Sequence, residues 1–214
     1  MKPPKSLPPA DTRLSILDAS EYLFANEGYR GTTLRAITKR AGVNLAAVNY
    51  HFGSKETLLE EVIKRRIEPL NMERRRRIQE VQDLASKKGK KPVVKSVLQA
   101  FITPTLEFRD SEPGARDFIT FIGRAFADPD DSVRKVFVRF MHPIFELMHR
   151  TMCLALPDYP ADLVFWRLQF CMGSLFHTLH ICGDIHMDTP NVSDLDAASL
   201  NALIIPYVTA GMKA

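Results

Sequence analysis

The chain has 214 residues, of which 45% are hydrophobic and 25% are charged, so it has both the apolar material for a core and the charge for a water-exposed surface. Its length allows one domain of ordinary size or a small module joined to a larger one. The longest apolar stretch, 163–181, is interrupted by an arginine, a glutamine and two histidines, a pattern that argues against a membrane span. The three cysteines, Cys153, Cys171 and Cys182, are odd in number and widely spaced, so we expect a reducing cytoplasm instead of a disulfide framework.

Positive charge is concentrated in the N-terminal part of the chain. Residues 1–91 hold 19 basic and 11 acidic side chains, a net charge of +8, whereas residues 92–214 carry a net charge of −4. A basic module joined to a slightly acidic body is typical of a nucleic-acid-binding protein with a separate sensing or assembly domain. A solvated basic surface without a function would give the same count, and the motifs have to decide between the two.

Apolar residues recur at helical spacing along almost the whole chain, and no segment alternates with period two, so the predicted fold is all-α with about nine helices. The first helix is expected to start at a cap at Asp11 or Thr12, to run to about Asn26 and to stop at Gly28. Its inward face carries Ile16, Leu17, Ser20, Leu23 and Phe24.

Two short helices follow the first. A cap at Thr32 or Thr33 starts the second, which Gly42 ends, and Asn44 caps a third that runs to Phe52 with Val48 pointing inward. The stretch from Gly28 to Lys55 contains five basic residues and no acidic residue. Two short helices joined by a tight glycine turn, in basic surroundings, predict a helix-turn-helix over about residues 33–52.

The later helices are longer. Ser54 is expected to cap a fourth helix, whose run Arg74 to Arg77 we interpret as a solvated face, and the polar stretch 85–91 separates it from the helices beyond. Five further helices are predicted at about 93–108, 116–126, 132–156, 161–182 and 194–212. We assign 1–10 to a flexible basic tail, 11–70 to a DNA-binding domain and 71–214 to a helical ligand-binding and dimerisation domain.

The N-terminal motifs resemble those of the TetR family of transcriptional regulators. The matching strings are Thr32-Thr33-Leu34-Arg35, Ala41-Gly42-Val43-Asn44, Asn49-Tyr50-His51-Phe52 and Lys55-Glu56 with Leu58. The resemblance covers about residues 11–70. It implies an all-helical homodimer that binds a partly palindromic DNA operator and releases it when a small molecule occupies the C-terminal domain.

Nine residues are predicted to contact DNA. Phosphate contacts are expected from the start of the second and fourth helices and from the end of the third, and the resemblance assigns phosphate contacts to Tyr50 and His51 as well. Asparagine amides suit adenine edges and small apolar side chains suit thymine methyl groups, although Asn44 has the alternative role of a cap alone, and Arg35 suits a guanine or a phosphate. The set is Thr33, Arg35, Asn44, Leu45, Ala46, Asn49, Tyr50, His51 and Lys55.

The C-terminal half is rich in aromatic and methionine side chains, which form adaptable walls for an apolar ligand. Its Phe165-Trp166-Arg167 segment with Phe170 and Gly173, and the string from Leu45 to Lys55, resemble family members that respond to fatty acids or acyl-CoA. That resemblance implies a small lipophilic effector. Arg124 or Arg167 is a candidate to meet its carboxylate, with a surface or interface charge as the favoured alternative for each. The predicted ligand-binding residues are Phe118, Phe121, Ile122, Phe126, Phe137, Met141, Phe145, Trp166, Phe170 and His177.

Other functions are less well supported. The chain lacks the motifs of common hydrolases and nucleotide-binding enzymes, so we expect no enzymatic activity and no cofactor. His177, His180, Cys182 and His186 match no familiar metal site, and no metal is predicted. The last two helices have broad apolar faces, and pairing them across two chains gives a four-helix dimer interface. The prediction is therefore a ligand-released repressor, with a metal- or drug-responsive regulator or a transcriptional activator as alternatives.

Overall fold

A computed structural model describes residues 9–111, 114–127, 130–184 and 195–214. These residues form helices and their connections, without a strand. The nine helices are α1 (Pro9–Gly31), α2 (Leu34–Ala41), α3 (Leu45–Phe52), α4 (Lys55–Lys87), α5 (Val94–Ser111), α6 (Ala115–Ala127), α7 (Ser132–Ala155), α8 (Ala161–Asp184) and α9 (Ala197–Lys213). The predicted all-α class is confirmed.

The helix ends agree with the predicted caps except in α1. The side chains of Thr33, Asn44 and Ser54 accept hydrogen bonds from the backbone N–H three residues later, as N-caps do. Helix α1 begins at Pro9, ahead of the predicted caps, and its helical turns continue to Gly31 across a break at Gly28. The predicted tail over residues 1–10 lies largely outside the described residues.

The three N-terminal helices enclose a small core together with the first half of α4. Ile16, Phe24, Ile37, Val48 and Leu58 are fully buried in it. Gly42 closes the turn between α2 and α3 in the left-handed conformation, with φ 68°, which a side chain would strain. This turn sets α3 across α2, as a helix-turn-helix requires.

This core continues into the C-terminal half of the chain. Phe118, Phe121 and Ile122 of α6 and Phe137 of α7 are buried in the same cluster. The ring of Phe121 stacks on that of Phe24, with 5.7 Å between centroids. The helix-turn-helix unit is therefore packed directly on α6, so a displacement of α6 acts on α1.

A second core lies between the far half of α4 and helices α5 to α9. Its fully buried members include Ile78, Leu98, Ile102, Met148 and Leu168. Helix α5 packs closely on α9, and α4 packs on both α5 and α7. Because α4 belongs to both cores, it is a continuous rod between the two halves of the chain.

A buried ion-pair cluster joins α1 to α4. The carboxylate of Glu21, which is 4% exposed, accepts hydrogen bonds from Arg65 (2.7 Å) and from Arg66 (2.6 Å). Gly114, just before α6, lies so close that a Cβ on it would stand 2.7 Å from the Glu21 carboxylate and 2.9 Å from Arg66. Three helices thus meet at one carboxylate.

Within the part of the chain that is described, no helix combines the length and the apolar character that crossing a bilayer requires.

Glu21→Gln is expected to lower the free energy of unfolding by about 3 kcal/mol, because it leaves two partly buried guanidinium groups without their shared carboxylate. Urea denaturation followed by circular dichroism measures the change. Asp18→Asn is the matched control, since Asp18 pairs with Arg65 at 2.7 Å but is 71% exposed; its cost is expected to stay below about 1 kcal/mol. Equal effects of the two substitutions would contradict the central role of Glu21.

Candidate functional site

The outer surface of α3 carries most of the side chains that the sequence predicts to contact DNA. Asn44, Ala46 and Asn49 are exposed, Leu45 is half-exposed, and Tyr50 is 83% exposed. The opposite side of the helix is buried through Val48 and Phe52. One face of α3 therefore holds the helix in the core, while the other presents polar and small apolar groups to solvent.

Asn44 is engaged in capping, with consequences for what it can recognise. Its Oδ1 accepts a hydrogen bond of 2.9 Å from the backbone N–H of Ala47. Bidentate recognition of adenine needs both ends of an amide, so the cap leaves mainly the Nδ2 donor for another partner. Asn49 is exposed inside α3 and is not an N-cap, so both ends of its amide are available for a base.

The first turns of α2 and α4 lie on either side of this surface. Thr33 caps α2 through its hydroxyl, and Arg35, two residues later in the first turn, is exposed. The Lys55 ammonium at the start of α4 donates a 2.6 Å hydrogen bond to the Tyr29 carbonyl and lies 4.3 Å from the centre of the Tyr29 ring. Burial lowers the pKa of Lys55, and burial together with Glu56 raises the pKa of Tyr29 to about 12. Lys55 is thus held against α1 and does not extend freely into solvent.

Two cavities that share part of their walls lie among the later helices. The outer cleft has a volume of about 550 Å³, and its mostly aromatic and methionine wall has a polar rim of His142, Glu146, His149 and Gln169. The inner cavity, of about 40 Å³, is bordered by α4, α5, α6, α7 and α8. Phe101, Phe137, Met141, Met172 and Phe176 line both cavities. The outer cleft has the size of a small-molecule site, whereas the inner one holds only a few waters.

Six of the ten predicted ligand-binding residues line these cavities: Phe118, Ile122, Phe126, Phe137, Met141 and Phe145. The other four lie elsewhere. Phe121 packs on α1, Trp166 and Phe170 are 58% and 68% exposed on the outer side of α8, and His177 is exposed. For the three residues of α8, the reason is that this helix has apolar residues on more than one face, and spacing alone does not say which face borders the cavity.

Arg74 borders the inner cavity and was not predicted there. The sequence interpretation of the Arg74 to Arg77 run as a solvated face is wrong at this position: Arg74 is 3% exposed, whereas Arg75 and Arg76 are exposed. A signal was present, because Arg74 occupies the buried stripe that Ile67, Leu70 and Ile78 define at helical spacing.

The two arginines proposed from the sequence to meet a ligand carboxylate lie outside both cavity walls. Arg124 donates a 2.6 Å hydrogen bond to the carbonyl of Ala25 on α1. Arg167 donates to the carbonyls of Met212 and Ala214, and so joins α8 to the end of α9. Both arginines connect two helices through these hydrogen bonds.

No group of three or more metal-ligating side chains is found among the described residues. The side chains of His180 and Cys182, and the whole of His186, lie outside the described part of the chain.

Comparison with known proteins identifies both halves of the chain. A family model described as "Bacterial regulatory proteins, tetR family" matches residues 16–62, and one described as "Tetracyclin repressor-like, C-terminal domain" matches residues 99–211, which is more than half of the chain. The HTH-type transcriptional repressor KstR2 of Rhodococcus jostii (strain RHA1) is 38% identical over 64 residues, covering 27% of this chain and 31% of that protein. The negative regulator IcaR of Staphylococcus aureus (strain Newman) is 41% identical over 49 residues, covering 23% of this chain and 26% of that protein. The matched segment therefore spans about a third or less of these curated relatives.

Solved structures share the fold over almost the whole chain. The transcriptional regulator FadR of Bacillus subtilis in complex with stearoyl-CoA superposes with a TM-score of 0.69 at 15% identity, covering 92% of this chain and 98% of that one. The fatty acid degradation regulator FadR of Bacillus halodurans gives a TM-score of 0.66 at 13% identity, covering 99% and 97%. With both family models matched and this fold in common, the chain belongs to the TetR family of transcriptional regulators, which are DNA-binding proteins and not enzymes.

Proposed function

We propose that this chain is a homodimeric cytoplasmic repressor that binds a palindromic operator and releases it when a small lipophilic effector occupies the outer cleft. The observation that carries the proposal is the 550 Å³ apolar cleft, which shares part of its wall with the inner cavity beside α4, the helix that begins at the helix-turn-helix. A relative in the same fold is described in complex with stearoyl-CoA, which supports a fatty acid or acyl-CoA as the class of effector.

Operator recognition is assigned to α3. Asn49 and the exposed side chains of Leu45 and Ala46 suit contacts to base edges and thymine methyl groups in the major groove. The Tyr50 hydroxyl suits a phosphate, as do His51 and the amide ends of α2 and α4 at Thr33 and Lys55. Arg35 is exposed at the edge of the same surface and adds positive charge. Asn44 contributes through its cap and through its remaining donor.

The dimer interface is assigned to the outer faces of α8 and α9. Exposed apolar side chains are unusually large there: Trp166, Phe170, Leu203 and Tyr207 are between 58% and 69% exposed. An exposed apolar stripe of this kind marks an interaction surface. Two helices from each chain form a four-helix bundle, and two copies supply the two recognition helices that a palindrome needs.

Effector binding is transmitted by α4 and α6. Ile67 and Leu70 of α4 border the inner cavity, and Leu58 and Leu59 of the same helix pack on the helix-turn-helix. Ile122 of α6 borders the same cavity, and Phe121 beside it stacks on α1. Side chains displaced by a ligand therefore move the two helices on which the DNA-binding unit is mounted, and the spacing of the recognition helices changes.

A gel-shift assay with DNA from upstream of the gene for this chain tests the function. We expect a sequence-dependent complex that persists at physiological salt, and its release by fatty acids or acyl-CoA. A complex that competitor DNA of any sequence removes equally would contradict the repressor function.

Tyr50→Phe and Asn49→Ala are expected to weaken DNA binding in different ways. Loss of the Tyr50 hydroxyl removes a phosphate contact, so the affinity for all sequences falls together. Loss of the Asn49 amide removes a base contact worth about 1–3 kcal/mol, so the preference at one operator position is relaxed. Fluorescence anisotropy with a library of single-base operator variants separates the two patterns. A uniform loss for both substitutions would argue against base readout by Asn49.

The double substitution Phe170→Glu with Leu203→Glu is expected to yield monomers, because it places carboxylates in the proposed apolar interface. Sedimentation equilibrium measures the mass, and the operator affinity is expected to fall about 100-fold or more as the two half-sites are no longer bound together. Leu84→Glu is the control, since Leu84 is 54% exposed on α4 instead of on α8 or α9. A double variant that remains dimeric would place the interface elsewhere.

A further inference from the structure

Arg74 differs from the other charged side chains that are buried in the described residues. Glu21 is paired with Arg65 and Arg66, and the buried guanidinium of Arg109 lies 3.0 Å from the carboxylate of Asp110. Arg74 is 3% exposed, and the described residues offer it no carboxylate. A buried cation without an anion is costly, so its presence in a mostly apolar wall calls for an explanation.

The hydrogen-bond partners of Arg74 are all uncharged. The guanidinium donates to Asn71 Oδ1 and Thr105 Oγ1, both at 2.7 Å, and to the carbonyl of Phe101 at 3.3 Å. The fourth partner is the sulfur of Met141, 3.2 Å from Nη1. Burial alone lowers the pKa of Arg74 to about 9, so the group is charged at neutral pH.

Met141 is the weakest of these partners, and its side chain also borders the outer cleft. A thioether sulfur is a poor acceptor on a flexible side chain. Met141 lines both the inner cavity, which Arg74 borders, and the outer cleft. A ligand that displaces the Met141 sulfur from within the outer cleft would therefore reach the guanidinium directly.

We propose that Arg74 binds the carboxylate of the effector, which is an amphipathic acid with its apolar body in the outer cleft and its charged end in place of the Met141 sulfur. This inference rests on the proposed function and narrows its effector class. A carboxylate supplies the missing anion and matches the planar fork of the guanidinium.

The same geometry disfavours an acyl-CoA that enters with its chain. A thioester carries no charge, and the terminal methyl group of the chain would lie against a buried cation without an anion. The bulky head group cannot take the place of a carboxylate in an inner cavity of about 40 Å³. A free fatty acid supplies an anion for Arg74 and an apolar chain for the wall of the outer cleft.

Calorimetric titration of the dimer with matched ligands tests the assignment. The probes are octanoic, dodecanoic and hexadecanoic acids, with the methyl ester, the alcohol and the CoA thioester of each, below their micelle concentrations. We expect at least one acid to bind about tenfold or more tightly than its ester, alcohol and thioester, as expected for a hydrogen bond to a charged group.

Arg74→Met is expected to abolish this preference, so that acid and ester bind within about twofold of each other, because the variant keeps the volume but not the charge. Arg75→Gln, a substitution of the exposed neighbour, is expected to keep the preference of the parent chain. A thermal melt establishes that each variant is folded. Should Arg74→Met not fold, the comparison of acid with ester in the unmodified protein still tests the preference for a free acid, and equal binding overturns the proposal.

Equal binding of acids and esters by the unmodified protein, tighter binding of the thioester, or an undiminished preference in folded Arg74→Met would each overturn the role of Arg74. The titrations contain no DNA, so they are independent of the gel shift. A missing gel shift overturns the repressor function, whereas a missing acid preference beside a specific gel shift overturns only the assignment of Arg74.

Discussion

The carboxylate of Glu21 is the contact on which the relation between the two halves of this regulator depends. It holds Arg65 and Arg66 of α4 against α1, and Gly114, just before α6, lies so close that a Cβ on it would stand 2.7 Å from the same carboxylate. Helix α4 and the segment that leads into α6 are therefore held close to α1 at one point, and both helices are among the five that border the inner cavity. Motion of α4 that separates Glu21 from Arg65 and Arg66 is strongly opposed at this junction, because a buried charge that loses its partner is costly.

Much of the fold could be predicted because its signals are local. Caps at Thr33, Asn44 and Ser54 and the turn at Gly42 act within four residues, and the structure contains each of them. The helix-turn-helix and the exposed face of its second helix could be predicted from these same caps, the glycine turn and the spacing of the apolar residues. The start of α1 was missed because Asp11 suits the first turn of a helix as well as a cap, and the sequence does not distinguish the two.

The predicted ligand-binding residues that lie outside the two cavity walls show what spacing along one helix does not determine, namely which face of that helix packs on which neighbour. Trp166 and Phe170 were predicted to line the ligand site because they are aromatic. Helix α8 also has an apolar stripe through Val164 and Leu168, and only the packing of α6, α7 and α9 against α8 shows that this stripe faces the core. Arg74 shows the opposite error. Its charge suggested solvent, although its position in the apolar period of α4 indicated burial. Where charge and periodicity disagree, an ionisable residue in a buried stripe deserves a functional interpretation.

Helix α8 bears a different environment on each of three sides. Leu168 faces the core, Met172 and Phe176 border the cavities, and Phe170 lies on the outer face assigned to the dimer. Substitutions in α8 that adapt the cleft to a new compound would therefore also alter subunit assembly. The reason is that cavity-lining and interface residues lie on the same helix and move together. Helix α7 offers a more independent set of positions, because Phe137 and Phe145 line the outer cleft without contributing to the outer apolar stripe of α8 and α9. A library built on α7 would separate recognition from association.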